Sequence, residues 1–393
     1  MDPIPYAKQH ITEEDIQAVI DVLRSDYLTQ GPKIAEFEQA FAAYVGSKYA
    51  VAVSNGTAAL HLSALAVGIN PGDKVITTPI TFAATANCVR YCGGEVVFAD
   101  IDSETYLLDI REVRKLLEAA PKGTYKGIIP VDFAGRPVDM EAFRALADEY
   151  GLWIIEDACH APGGWFTDSK GVIQHCGNGC YADLAIFSFH PAKHMTTGEG
   201  GMITTNDRKL YEKLLNLRTH GITRDNSTFL NSISLAGGSG AYPGWYMEMQ
   251  ELGFNYRLTD IQAALGLSQL KRAEQGLAKR RVIAKEYQDA FEGKVYIKGQ
   301  SGVMDGHAFH LYIIEVENRF GLYNYLRKHN IFAQIHYIPC HLMPYYAKLG
   351  WKPGDFPKAE AYYTQCISLP MYMKLESEQF EQVIRIIAAY YGD

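Results

Sequence analysis

Over its first two hundred residues the chain alternates short, almost wholly apolar runs with amphipathic stretches, and few folds accept that pattern. "YAVAVSN", "KVITTP", "EVVFADI", "KGIIPVDFAG", "LWIIEDA", "DLAIFSFH" and "GGMITTND" read as strands. "TEEDIQAVIDVLRS", "KIAEFEQAFAAYVG", "GTAALHLSALAVG", "TFAATANCVRYCG", "IREVRKLLEAA" and "DMEAFRALADEYG" read as helices, the first capped by Thr12 and the second stopped by Gly46. Strands apolar on both faces need cover on both faces. The pattern therefore predicts an α/β fold, a largely parallel sheet between helical layers. Ligands of such sheets gather at the carboxyl ends of the strands. After the Gly- and Tyr-rich "LAGGSGAYPGWYMEMQELGFNYR" comes one long helical run, "TDIQAALGLSQLKRAEQGLAKRRVIAKEYQDAF". The rest has an αβ texture of its own. We expect a large domain over 1–265 and a smaller C-terminal αβ domain over 266–393.

Charge excludes several classes of partner. The 393 residues carry a net charge of -8, so no basic field is present to hold nucleic acid or an anionic membrane surface. No run approaches the roughly 20 apolar residues of a membrane span. "MDPIPYAKQHITEEDI" lacks the apolar core of a signal peptide, which predicts a cytoplasmic protein. The seven cysteines, an odd number, read as reduced thiols. "HCGNGC" (Cys176 and Cys180) has no second ligand pair, and Pro339 keeps the histidines of "HYIPCH" off one helix face. No metal is expected.

Three strand ends carry unusual residues. "VAVSNGT" runs straight into a helix at Gly56 and Thr57, where free N–H groups can receive an anion. "LWIIEDACHAPGG" closes a buried strand with Asp157, a carboxylate costly to bury without a partner. "FSFHPAKHMTTGEGG" sets a single lysine, Lys193, among small residues. Each has a plain alternative: a common turn, a satisfied structural aspartate, a solvated lysine. His190 and His194 stand four apart, but Pro191 and the glycines argue against a helical metal pair, and Glu199 suits a turn. Taken together, an anion cradle, a carboxylate and a lysine are the three attachments of pyridoxal 5'-phosphate.

"SNGTAALH", "TPITFAATAN", "EDACHAPGG", "FSFHPAKHMTTGEGGM" and "LGFNYRLTDIQAALGLSQL" resemble, in order and nearly end to end, the DegT/DnrJ/EryC1/StrS nucleotide-sugar aminotransferases. That resemblance implies a fold-type-I pyridoxal-phosphate transferase, with pyridoxamine phosphate during turnover. It implies that Lys193 bonds the cofactor, Asp157 pairs with its pyridine nitrogen and His160 lies near its phenolic oxygen. Phe82 would stack on the ring, and Gly56, Thr57 and Ser188 would hold the phosphate. Asn255 would reach the phosphate from the other subunit of a homodimer. Tyr6, Asp26, Tyr27, Leu28, Thr29, Arg257 and His336 match sugar-nucleotide contacts. For His190 a substrate contact, the orientation of Lys193 and a structural role stay open. Within the family, "IPYAKQHITEEDIQAVIDVLRSDYLTQGP" and "AQIHYIPCHLMPYY" are most similar to the pseudaminic-acid branch. That implies transfer of an amino group from L-glutamate to C4 of a UDP-linked 4-keto-6-deoxy-N-acetylhexosamine. Amination of another keto nucleotide sugar, of the perosamine type, is the rival within the family. A non-catalytic cofactor-binding regulator is the rival outside it, and no basic DNA-binding segment supports it. Lys8 in "YAKQ", the length of "TDSKGVIQHCGNGC" and the segment "SLAGGSGAYPGWYMEMQ" depart from the family pattern.

Overall fold

The computed structural model describes residues 2–302 and 304–393. The seven apolar runs form one sheet: β1 (Tyr49–Val53), β2 (Lys74–Thr77), β3 (Glu95–Phe98), β4 (Tyr125–Ile129), β5 (Trp153–Asp157), β6 (Leu184–Ser188) and β7 (Gly201–Thr205). Their spatial order is β1-β7-β6-β5-β4-β2-β3. Only β7 runs against its neighbours, pairing antiparallel with β1 and β6; the other four pairings are parallel.

Alternate side chains of each strand enter different cores, as the two-residue period of a strand requires. Val51, Val53, Ile155, Ile186 and Ile203 pack with Leu60 and Leu62 of α3 (Gly56–Ala66), Val89 of α4 (Ala83–Tyr91) and Leu214 of the helix Arg208–Arg218. Ala50, Ala52, Phe187 and Met202 face the other way, against Phe37 and Phe41 of α2 (Pro32–Val45). Ile76, Ile128 and Ile154 continue that layer beneath Phe143 and Leu146 of the helix Met140–Tyr150. Each of the larger of these buried side chains (Val, Leu, Ile, Phe and Met) contributes about 1.5–3 kcal/mol, which is why both faces had to be apolar.

A second core gathers Tyr287, Ile314, Leu322, Ile367 and Val383 around a three-stranded antiparallel sheet, Lys298–Gly299, Tyr312–Glu315 and Cys366–Leu369. Ile4 belongs to it as well, because Ile4–Pro5 pairs in parallel with Ile331–Phe332. That pairing brings Tyr6 beside His336. The helical run expected to be continuous is two helices, Asp260–Leu270 and Ala273–Phe291. It breaks at Arg272, whose guanidinium turns to the buried carboxylate of Asp15 in α1 (Glu13–Leu23), which also accepts from Gln269 at 2.7 Å. No helix among the described residues is long and apolar enough to cross a membrane.

Candidate active site

Three connections meet at the carboxyl ends of β1, β5 and β6. β1 passes through Asn55, whose side chain caps α3 by accepting from the Ala58 amide at 2.8 Å. The first amides of α3, those of Gly56 and Thr57, thus stand where a helix supplies no acceptor. β5 ends on Asp157. One carboxylate oxygen accepts from the Thr85 hydroxyl at 2.6 Å and the other from the Cys159 amide at 3.2 Å. Thr85 is itself fixed by Thr81 at 2.8 Å. β6 ends on Ser188, and its continuation turns at His190, whose carbonyl accepts the Lys193 amide at 2.8 Å. The chain then returns through Gly201 into β7. A Cβ on Gly201 would lie 2.5 Å from the Asn55 carbonyl oxygen, so this approach of strand to turn requires glycine.

These groups line one cavity of about 820 Å³. Around it stand Gly56, Thr57, Phe82, Asp157, His160, Ser188, His190 and Lys193 from the sheet domain. Tyr6 and His336, brought side by side by the pairing of Ile4–Pro5 with Ile331–Phe332, also line it. Phe82 is 61% exposed, an aromatic face left bare over the opening. Asn255 and the run Asp26, Tyr27, Leu28 and Thr29 are exposed and outside this cavity, and Arg257 lies on the strand-like bridge to Val53 without lining it.

The electrostatics suit a reactive amine. Burial depresses Lys193 below an ordinary lysine, with Arg280 adding to the shift; Cys159 and Asp157 oppose it. His160 accepts from the Ala134 amide at Nδ1 (3.3 Å), so its proton sits on Nε2, 3.2 Å from the Tyr337 hydroxyl. Burial, and then Lys193, hold His160 well below the usual histidine range, and it stays neutral. His336 is pushed down to about 3 by the same two causes.

Sequence reasoning missed four residues of this wall. Tyr337 adjoins His160, and the His310 ring lies 4.3 Å from that of His160, centroid to centroid, tilted by 36°. Thr85 and Cys159 hold Asp157. Thr85 and Cys159 sit inside the motifs quoted above and could have been found by asking which donors satisfy a buried carboxylate. His310 and Tyr337 come from the C-terminal part of the chain; Tyr337 lies inside the quoted "AQIHYIPCHLMPYY", whereas nothing local marks His310.

The chain has known relatives. A family model described as the DegT/DnrJ/EryC1/StrS aminotransferase family matches residues 9–388. This chain belongs to that family. It is 40% identical over 393 residues to the spore coat polysaccharide biosynthesis protein SpsC of Bacillus subtilis, covering 98% of this chain and 96% of that one. It is 34% identical over 404 residues to the UDP-4-amino-4-deoxy-L-arabinose–oxoglutarate aminotransferase of Shewanella sediminis, covering 99% and 98%. Among solved structures, Helicobacter pylori PseC, an aminotransferase of pseudaminic acid biosynthesis, superposes with a TM-score of 0.86 at 31% identity, covering 99% of both chains. The PLP form of the putative sugar aminotransferase Spr1654 from Streptococcus pneumoniae gives 0.85 at 29% identity, covering 99% and 98%. The chain is accordingly a pyridoxal-phosphate-dependent aminotransferase of nucleotide sugars with the fold-type-I architecture.

The residues present fit that cofactor. A Cβ on Gly56 would meet the Ser188 Cβ at 3.0 Å and its Oγ at 3.3 Å, so glycine keeps open a cradle floored by a helix N-terminus. Asp157 is locked in place by two donors, and Lys193 faces the same space.

Proposed function

We propose that this aminotransferase moves an amino group from L-glutamate to C4 of a UDP-linked 4-keto-6-deoxy-N-acetylhexosamine. The observation that carries the reading is the shared cavity, in which Lys193, Asp157 and the start of α3 face a space of about 820 Å³. That space exceeds what a cofactor alone needs and suits a sugar nucleotide beside it. The similarity to the Shewanella enzyme supports a UDP sugar, amination at C4 and the glutamate–oxoglutarate pair as donor. The similarity to PseC supports the pseudaminic-acid precursor.

Bound here, pyridoxal phosphate supplies an electron sink for a carbanion adjacent to nitrogen. In our reading Lys193 anchors it and, once released, carries a proton to and from the reacting carbon. An amine kept below its ordinary basicity by burial serves both as base and as acid, worth about 10²–10⁴-fold. Asp157 holds the proton on the pyridine nitrogen, and the Thr85 and Cys159 donors keep its carboxylate aimed. The amides of Gly56 and Thr57 with the Ser188 hydroxyl take the phosphate, Phe82 covers the ring, and neutral His160 donates from Nε2 towards the phenolic oxygen. Tyr6, His190 and His336 contact the sugar nucleotide. Asn255, Arg257 and Asp26–Thr29, exposed or outside this cavity, serve the site of the other subunit of a homodimer. All seven cysteines are free, which supports a reducing cytoplasm as its place of action.

The decisive assay offers UDP-, GDP- and dTDP-linked 4-keto sugars with L-glutamate and weighs the products. Amination of the UDP-linked N-acetyl sugar is expected; amination of GDP or dTDP sugars alone would overturn the substrate assignment. Lys193→Ala should stop multiple turnover, and repeated turnover by that variant would overturn the mechanism.

A further inference from the structure

Lys193 also lines a second, much smaller cavity, with which the substrate space shares no other lining residue. Its other walls include Lys8, Thr196, Arg272 and Arg280. Its volume is about 20 Å³, enough for one water-sized occupant and too little for a phosphate or a whole amino acid.

The charge around this cavity is unbalanced. Arg280 is only 5% exposed, and every hydrogen bond it donates leaves from Nη1, to the carbonyls of Phe309 (3.2 Å), His310 (3.2 Å) and Met371 (3.0 Å). Its Nε and Nη2 donate to no protein acceptor, and no carboxylate pairs with it among the described residues. Burial pushes it down to about 10. Arg272 spends its charge on Asp15 yet leaves its buried Nε unbonded. Lys8 adds an exposed ammonium at the rim. Water could satisfy the free N–H groups, but it could not offset a buried guanidinium without a counter-charge.

We infer that this cavity is a binding site for a single monovalent anion of halide size, held by Arg280 with Lys8 at its mouth. The site shares only Lys193 with the substrate cavity, so its occupant touches the lysine loop without entering that cavity. It places a negative charge beside the guanidinium that otherwise depresses the lysine.

Crystals of the cofactor-loaded protein soaked in concentrated sodium bromide test this directly. An anomalous peak is expected in the cavity, within hydrogen-bonding distance of Arg280 Nη2 or Nε. No peak there, or peaks on the exposed surface alone, would mean that the cavity holds water and would overturn the inference. Arg280→Met keeps a side chain of similar reach without the charge and should lose the peak; a peak undiminished in that variant equally overturns it. Should Arg280→Met fail to fold, Lys8→Met at an exposed position is expected to lower the peak relative to the parent crystal, and an unchanged height counts against the site as drawn.

Discussion

Asp157 has a neighbour that does no chemistry and yet sets a condition on it. Glu156 points to the opposite face of β5, where it is 4% exposed beside Asp132, which is fully buried, with the Cys176 sulfur within 4.8 Å of both. The Gly177 amide donates to both Glu156 oxygens at 3.1 Å, and the Val138 amide donates to Asp132 Oδ1 at 2.8 Å. Asp132 Oδ2 has no donor unless one carboxyl keeps a proton. Burial pushes Asp132 up to about 7, and burial with the Asp132 charge holds Glu156 well above the carboxylate range. The folded chain therefore keeps a proton that the unfolded chain, with carboxyls titrating near about 4, gives up. Stability from this pair is present below that unfolded value and is lost as pH rises towards about 7. Glu156→Gln supplies Asp132 with an N–H donor and removes the second carboxyl, so the pair no longer has to hold a proton. In urea unfolding at a series of pH values, the parent should lose about 1–3 kcal/mol relative to this variant between about pH 5 and pH 8. Parallel profiles would show that the pair shares no proton. Single residues were legible in the sequence where a charge interrupts an apolar run, as at Asp157 and Lys193. They were illegible where their meaning depends on a partner far along the chain, as for Glu156 with Asp132, or His160 with His310 and Tyr337.

Among elements, the helix Asp260–Leu270 joins segments that the sequence shows only as separate pieces. Asp260 is fully buried in its first turn and accepts from the amides of Gly31 (2.7 Å) and Lys33 (2.9 Å) at the start of α2. One carboxylate thus serves two helix N-termini, its own and that of α2, where negative charge is favoured. Gly31 is required by the same contact, since a Cβ there would fall 2.7 Å from an Asp260 oxygen and 2.4 Å from the Tyr27 Cβ. This staple fixes the turn Asp26–Thr29 just ahead of α2. Replacing Asp260 with Ala strands two part-buried amides and should cost about 3 kcal/mol, the scale of hydrogen bonds to a charged group, while Asp260→Asn should recover part of it. Equal unfolding midpoints for parent and Asp260→Ala would refute the staple. The strands and the helices of the sheet domain were readable because period and burial agree along each run. The break at Arg272 and the two-residue strand Ile4–Pro5 were not. A helical run does not announce that one of its arginines will turn to Asp15, and a pair of residues has no period to read.

At the scale of the whole molecule the layered fold was legible in the alternation of the first two hundred residues, but the boundary of the site was not. Its wall in one chain ends short of Asn255 and the Asp26–Thr29 turn, and both stand exposed. Exposed apolar side chains lie near them in sequence: Tyr27 at 57%, Leu28 at 48% and Leu252 at 78%. Sequence spacing cannot tell a residue that faces its own cavity from one that faces a neighbour's, because both are selected by the same ligand. The proposed homodimer resolves the difference and makes a strong demand. Lys193→Ala removes the amine of its own site but leaves Asn255 to serve the partner site; Asn255→Ala does the reverse. Each variant alone should be inactive or severely weakened. After the two are mixed, unfolded and refolded together, half the dimers are mixed, and each holds one intact site, so about a quarter of the parent activity should return. Sedimentation of the parent should show a dimer at assay concentration. An active monomer, or a mixture that stays as inactive as its components, would mean that each chain carries a complete site and that Asn255 acts, if at all, within its own subunit.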